Sequence, residues 1–149
     1  MNKNSMPIKN ENIVCLGWRE WVSFPDYDNF IIKAKIDSGA KTSALHASHL
    51  QQFEKNKKLW VRFRISQSKK NMYISIPVIK YVTVKSSFGD SQNRPLVNIK
   101  IKLGDLSWNT NITLAKRCEL SYSMLIGRNT LKKAHLINPK MSFMLSKGM

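Results

Sequence analysis

Acidic residues are scarce in this chain of 149 residues: nine Asp and Glu face twenty-five Lys and Arg, for a formal net charge of +16. That imbalance leaves the fold open but directs partners toward anions, whether nucleic acid, an anionic surface or an acidic peptide. Cysteine is nearly absent. Cys15 and Cys118 stand far apart without metal-ligand spacing, so no disulfide framework is available, and two reduced, buried thiols are expected. The six glycines include no Gly-rich phosphate loop, so no ATP site is expected. No apolar run reaches the roughly 18 residues of a membrane helix. The N-terminal stretch 1–11 is polar and lacks the apolar core of a secretory leader. These absences lead to the expectation of a cytoplasmic protein without membrane contact, with 1–11 as a flexible tail and 12–149 as a single domain.

What is present is β-rich patterning. Ordered sequence is expected from Ile13, and Trp18, Trp21, Val22 and Phe24 form an apolar segment closed by the turn cluster at 25–29. In the segment 30–36, Ile32, Ala34 and Ile36 fall on one strand face and Lys33 and Lys35 on the other. Residues 59–65 alternate more cleanly, with Arg62 and Arg64 opposite the apolar positions. The segment 72–84 is rich in Ile, Val and Tyr, with Pro77 at a bend or edge. Segments 96–103 and 108–114 flank Gly104-Asp105-Leu106-Ser107, a hairpin signal. A short helix is expected over 129–134, then a last hairpin over 135–145 turning at 138–140. The polar stretches 51–58 and 86–93 read as surface loops. Short strands with regular turn signals indicate an all-β barrel or sandwich.

Two segments carry chemistry. Asp37-Ser38-Gly39-Ala40 directly follows a hydrophobic strand. A carboxyl there is placed at a strand end, the hydroxyl of Ser38 can bond within the loop, and Gly39 lets backbone approach the carboxylate. On its own, Asp-Ser-Gly is an ordinary turn. The second segment, Met124 to Leu131, reads apolar-apolar-Gly-Arg-Asn and comes about ninety residues later. The pair, in this order, resembles the catalytic loop and the late supporting strand of retroviral-type aspartic proteases.

The resemblance is strongest to the bacterial, retropepsin-like family known as "putative ATP-dependent zinc protease". It rests on 17–22, 32–47, Arg94-Pro95 and 125–128, and covers most of 13–146. It implies a closed β-barrel of the acid protease type with one short C-terminal helix. It implies Asp37, Ser38 and Gly39 as the catalytic loop, with Leu125, Ile126, Gly127 and Arg128 supporting it. Some members accompany a glutamate ligase that tails a ribosomal protein and act on those tails, which implies an acidic, glutamate-tailed peptide substrate. Ser38 stands where Thr is commoner. Lys41 and Lys85 stand where Arg is frequent, keeping charge but losing bidentate carboxylate geometry.

Aspartic-type hydrolysis needs two carboxyls sharing a proton. Asp37 is the one acid in a matching segment, so the second is expected from another copy across a two-fold axis, giving a homodimer. Substrate contacts are expected from Ala40, Lys41, Thr42, His46, Lys85, Arg94 and Arg117. His46 and His49 are three apart, but no carboxylate or Cys at ligand spacing accompanies them, so no metal ligands are assigned and zinc is disfavoured. Two other readings stand beside the peptidase. One is a non-catalytic module binding an acidic peptide or RNA, with RNA the weaker version because aromatics do not interleave with basic residues as a stacking platform requires. The other is a zinc-dependent hydrolase, as the family label says.

Overall fold

The computed structural model describes residues 13–85, 89–116, 122–131 and 135–145. Twelve strands carry its regular structure: β1 (Val14–Gly17), β2 (Arg19–Phe24), β3 (Phe30–Ile36), β4 (Ser43–His46), β5 (Ser48–Lys55), β6 (Lys58–Gln67), β7 (Lys70–Pro77), β8 (Lys80–Lys85), β9 (Ser91–Leu103), β10 (Leu106–Ala115), β11 (Met124–Ile126) and β12 (His135–Asn138).

Six strands close on themselves. The order β10-β4-β11-β3-β2-β9 returns to β10 through the β9–β10 hairpin, and β8 extends the sheet beyond β9. Of the all-β barrel or sandwich indicated by the alternating segments, the closed barrel implied by the family resemblance is the one present. Alternation fixes its interior: Val22 and Phe24 on β2, Ile32 and Ala34 on β3, and Ile99, Ile101 and Leu103 on β9 all point inward and are buried. A second sheet, β5-β6-β7, lays Val61, Phe63, Ile65, Ile74 and Ile76 into the same continuous core. Burying one such side chain contributes roughly 1.5–3 kcal/mol, so this shared seam holds the small sheet to the barrel.

Several expected elements come out differently. The stretch 51–58 is not a loop; its first residues belong to β5, which turns into β6 at Asn56 and Lys57, both at positive φ. Its sequence hides this because an edge strand exposed on both faces needs no apolar alternation. The segment 72–84 is two strands in two sheets, split after Pro77. Of the expected loop 86–93, the last three residues begin β9, and 86–88 lie outside the described residues. No hairpin forms over 135–145: β12 pairs in parallel with β1, and the following chain runs back to β2, where Phe143 donates its N–H to the Arg19 carbonyl at 2.9 Å.

Among the described residues there is no helix. Residues 128–130 form a turn, and 132–134 of the expected helix lie outside the described residues, as does the tail 1–11. Cys15 is exposed on β1 rather than buried, while Cys118 lies outside the described residues.

Buried Glu20 ties the end of β1 to the chain that follows β12. It is fully inaccessible, and its carboxylate accepts N–H bonds from Gly17 (2.6 Å), Met144 (3.0 Å) and Leu145 (3.1 Å). Three donors satisfy most of a carboxylate's acceptor capacity, which is how a buried acid is tolerated here.

Candidate active site

Asp37 leaves β3 at the point where the chain must pass over β11. β11 sits between β3 and β4, parallel to one and antiparallel to the other, so the strands flanking the loop never pair with each other. The backbone of β11 and its continuation then becomes the loop's support. Asp37 donates its N–H to the Ile126 carbonyl (2.8 Å). Arg128 and Asn129 donate theirs to the carbonyls of Ala40 (2.8 Å) and Lys41 (3.1 Å).

Gly127 is required at this crossing. A Cβ there would lie 2.8 Å from the Thr42 carbonyl carbon, 2.9 Å from the Ala40 oxygen and 3.0 Å from the Ser43 nitrogen. All three are backbone atoms that cannot swing aside. Leu125 and Ile126 supply the apolar strand: Ile126 is buried, and Leu125 pairs with Lys35 and Ala44.

The carboxylate itself is partly exposed. Its Oδ1 accepts the Gly39 N–H at 3.1 Å, and the Asp37 carbonyl accepts the Ala40 N–H at 3.1 Å, so the loop folds back around its own acid. Arg128 reaches across to donate from Nη1 to the Ser38 carbonyl at 2.9 Å, which braces the exposed tip.

Sequence reasoning missed the polar cage beneath this loop. Buried Ser43 accepts the Gly127 N–H at its hydroxyl (2.9 Å), while its own N–H goes to Asn129 Oδ1 (2.8 Å). The same hydroxyl meets Asn129 Oδ1 (3.1 Å) and Thr130 Oγ1, and Thr130 continues to Thr110 (2.8 Å). Asn129 also donates to the Asn111 carbonyl at 2.7 Å. A Ser six residues beyond the acid and an Asn-Thr pair after the late glycine are the signal, but their meeting depends on a fold that joins residues 86 apart.

Next to the loop opens a groove of about 670 Å³. Its wall includes Ala40, Lys41 and Thr42 from the loop, Lys80 and Lys85 from β8, and Arg94 from β9. Five of the seven expected substrate contacts thus come together. Lys80 was missed, although it lies on β8 in step with Val82 and Val84, which also line the groove. No acid belongs to that wall among the described residues. Arg94 is buried, and its Nε donates to Gln92 at 3.0 Å, so its charge is held in place. Asp37 is not itself in the wall; the groove begins three residues further on, at Ala40.

His46 does not join the groove. It shares the strand face of Ala44, a groove residue, but stands two residues further along β4, beyond the wall. Burial lowers the pKa of its imidazole. Arg117 lies outside the described residues. Nor do the residues fit zinc: His46 and His49 sit on separate strands, and among the described residues no three His, Cys, Asp or Glu side chains are grouped to hold a metal.

Comparison with known proteins agrees with this architecture. Residues 15–147 match the family described as RimB-like, "Retropepsin-like aspartic endopeptidase RimB". A probable alpha-L-glutamate ligase of Shewanella pealeana is 33% identical over 140 residues, covering 91% of this chain and 31% of that protein. One from Desulfotalea psychrophila is 34% identical over 128 residues, covering 83% and 28%. The chain therefore spans about a third of the length of these curated relatives. A crystal structure of a Legionella pneumophila protein of unknown function superposes with a TM-score of 0.76 at 26% identity, covering 89% of this chain and 98% of that one. With the match running through nearly every described residue and the barrel built as expected, the chain belongs to the RimB-like family of retropepsin-like aspartic endopeptidases.

Proposed function

We propose that the chain is an aspartic-type peptidase, active as a symmetric homodimer, that hydrolyses acidic and glutamate-rich peptides. The observation that carries this reading is a partly exposed carboxylate on a braced loop, beside a groove walled by Lys41, Lys80, Lys85 and Arg94.

The chemistry divides two Asp37 carboxyls into opposite roles. The ionised one takes a proton from a water as that water's oxygen attacks the scissile carbonyl carbon. The protonated one hydrogen-bonds the carbonyl oxygen and gives up its proton as the tetrahedral centre forms. Collapse of that centre breaks the C–N bond, and the leaving nitrogen takes a proton from the dyad. Two carboxyls near enough to act on one water cannot both ionise comfortably, which keeps one proton shared between the pair.

The groove supports the substrate class. Four cations, with no acid among the described residues of the wall, favour carboxylate side chains, and each aligned charge-assisted hydrogen bond helps fix the peptide's register. The curated relatives' printed name adds support, since a region joined to a glutamate ligase would meet glutamate-containing products. Activity of this kind needs no metal and should be indifferent to chelators.

Incubating the protein with a glutamate-tailed peptide and reading the products by mass spectrometry tests the proposal. Wild type should shorten the peptide, and Asp37→Asn should leave it intact while unfolding at the same temperature. Equal trimming by the variant would refute the assignment. Binding without cleavage by either protein would favour a non-catalytic acidic-peptide module.

A further inference from the structure

The β5-β6-β7 sheet has two unlike faces. Its inner face is core. On its outer face the register aligns Phe53 with Trp60, Gln51 with Arg62, and Lys55 with Lys58 between β5 and β6. Between β6 and β7 it aligns Trp60 with Pro77, Arg62 with Ser75, and Arg64 with Tyr73. Aromatic and basic residues that are scattered along the chain therefore alternate across one surface.

The contacts are close. The Phe53 and Trp60 rings lie 6.1 Å apart, with Lys55 Nζ 4.8 Å from the Trp60 centroid. At the other end of the face, Arg62 Cζ sits 4.2 Å over the Tyr73 ring. Arg64 is fixed nearby, its Nε donating to Ser48 Oγ at 3.2 Å. Phe53 and Tyr73 remain 36% and 44% exposed and Trp60 is half-buried, so three large rings reach the surface of this face, Trp60 and Tyr73 each with a cation against the ring.

Charge points the same way. Lys55, Lys57, Lys58, Arg62, Arg64, Lys69 and Lys70 fall within the 30-residue stretch 48–77, whose one acid is Glu54. Glu54 pairs with Leu59 and so faces the opposite side from Lys55 and Lys58. A peptide-binding groove accounts for none of these residues, because none lines its wall.

We propose that the outer face of β5-β6-β7 binds single-stranded nucleic acid, with bases stacking on Phe53, Trp60 and Tyr73 and phosphates meeting Lys55, Lys58, Arg62 and Arg64. Sheet faces that combine exposed aromatics with a basic surround hold single strands in this way, since every base offers a ring face and every nucleotide a phosphate. An acidic protein or an anionic lipid would use the charges but would have no need of three rings aligned with them. The site is independent of Asp37 and of any peptidase activity.

Fluorescence anisotropy of a labelled 12-mer oligouridylate, titrated with the full chain across a salt series, tests this. Binding should weaken steeply with salt, as counterion release requires. Phe53→Ala and Tyr73→Ala should each weaken it about tenfold without changing net charge. Arg62→Ala with Arg64→Ala should weaken it further and flatten the salt slope by roughly two contacts. Thermal unfolding of each variant near the wild-type temperature shows that the sheet is intact; for any variant that fails this, Phe53→Leu and Tyr73→Leu supply the ring-free replacement. The proposal is overturned by no binding at near-physiological salt, or by ring variants that bind as tightly as wild type. It is equally overturned if duplex RNA of the same length, polyglutamate or anionic vesicles compete as well as the single strand, since that would reduce the face to a general polyanion surface.

Discussion

The loop cage around Asp37 and the outer face of the β5-β6-β7 sheet use polar chemistry in opposite ways. In the cage, hydroxyls, amides and backbone groups are spent on one another: Ser43, Asn129, Thr130 and Thr110 form a chain whose purpose is to hold one loop at one height. On the sheet, the polar groups are charged, turned outward and braced mainly by aromatic rings. A single basic chain thus turns its polar groups inward on one another at the Asp37 loop and outward to solvent on the sheet. Removing a partner inside the cage leaves buried groups unsatisfied, whereas removing a charge on the sheet leaves water to take its place.

That contrast is sharpest at Gly127. Gly127→Ala should destabilise the protein by about 3 kcal/mol, because the added Cβ meets backbone on three sides, and it should remove any Asp37-dependent activity. Thermal melting and peptide cleavage together measure it. Ser43→Ala should cost about 2 kcal/mol, since the Gly127 N–H and Asn129 Oδ1 lose a buried partner. Chemical denaturation reads that loss directly.

A smaller effect comes from His46. Its folded pKa is lowered by burial, so the unfolded chain binds a proton more readily as pH falls through the ordinary histidine value. Stability should therefore decline as pH drops below about 6.5, continuing until the folded pKa is passed. His46→Asn should flatten that part of the stability-versus-pH curve. A curve unchanged by the substitution would remove His46 as its cause.

On the sheet, Arg62→Ala should change stability by no more than about 0.5 kcal/mol, the usual range for an exposed position. If Ser43→Ala proved no more costly than Arg62→Ala, the contrast between a committed cage and an open face would fail.

The two regions also differ in how much the sequence reveals. Period-two alternation exposes β3 and β6, and Gly104 with its neighbours announces the β9–β10 hairpin, because each feature is set by residues close together in the chain. The Asp37 loop and the 125–128 segment were recognisable as a pair, and the groove wall includes Lys41, Lys85 and Arg94. β5 was not legible, since its exposed residues carry no burial pattern. Nor was the cross-strand alternation of rings and cations, which exists only after β5, β6 and β7 pair. The parallel pairing of β1 with β12 likewise joins the two ends of the described chain, and no local turn signal encodes it.

The most direct test of the central claim mixes wild-type and Asp37→Asn chains in equal parts, lets them exchange, and measures hydrolysis of a glutamate-tailed peptide. If each active centre draws one Asp37 from each of two copies, only pairs of wild-type chains work, and total activity should fall to about a quarter of that of the same amount of pure wild type. Activity that stays at about half, following the number of wild-type chains alone, would contradict a shared pair of carboxyls.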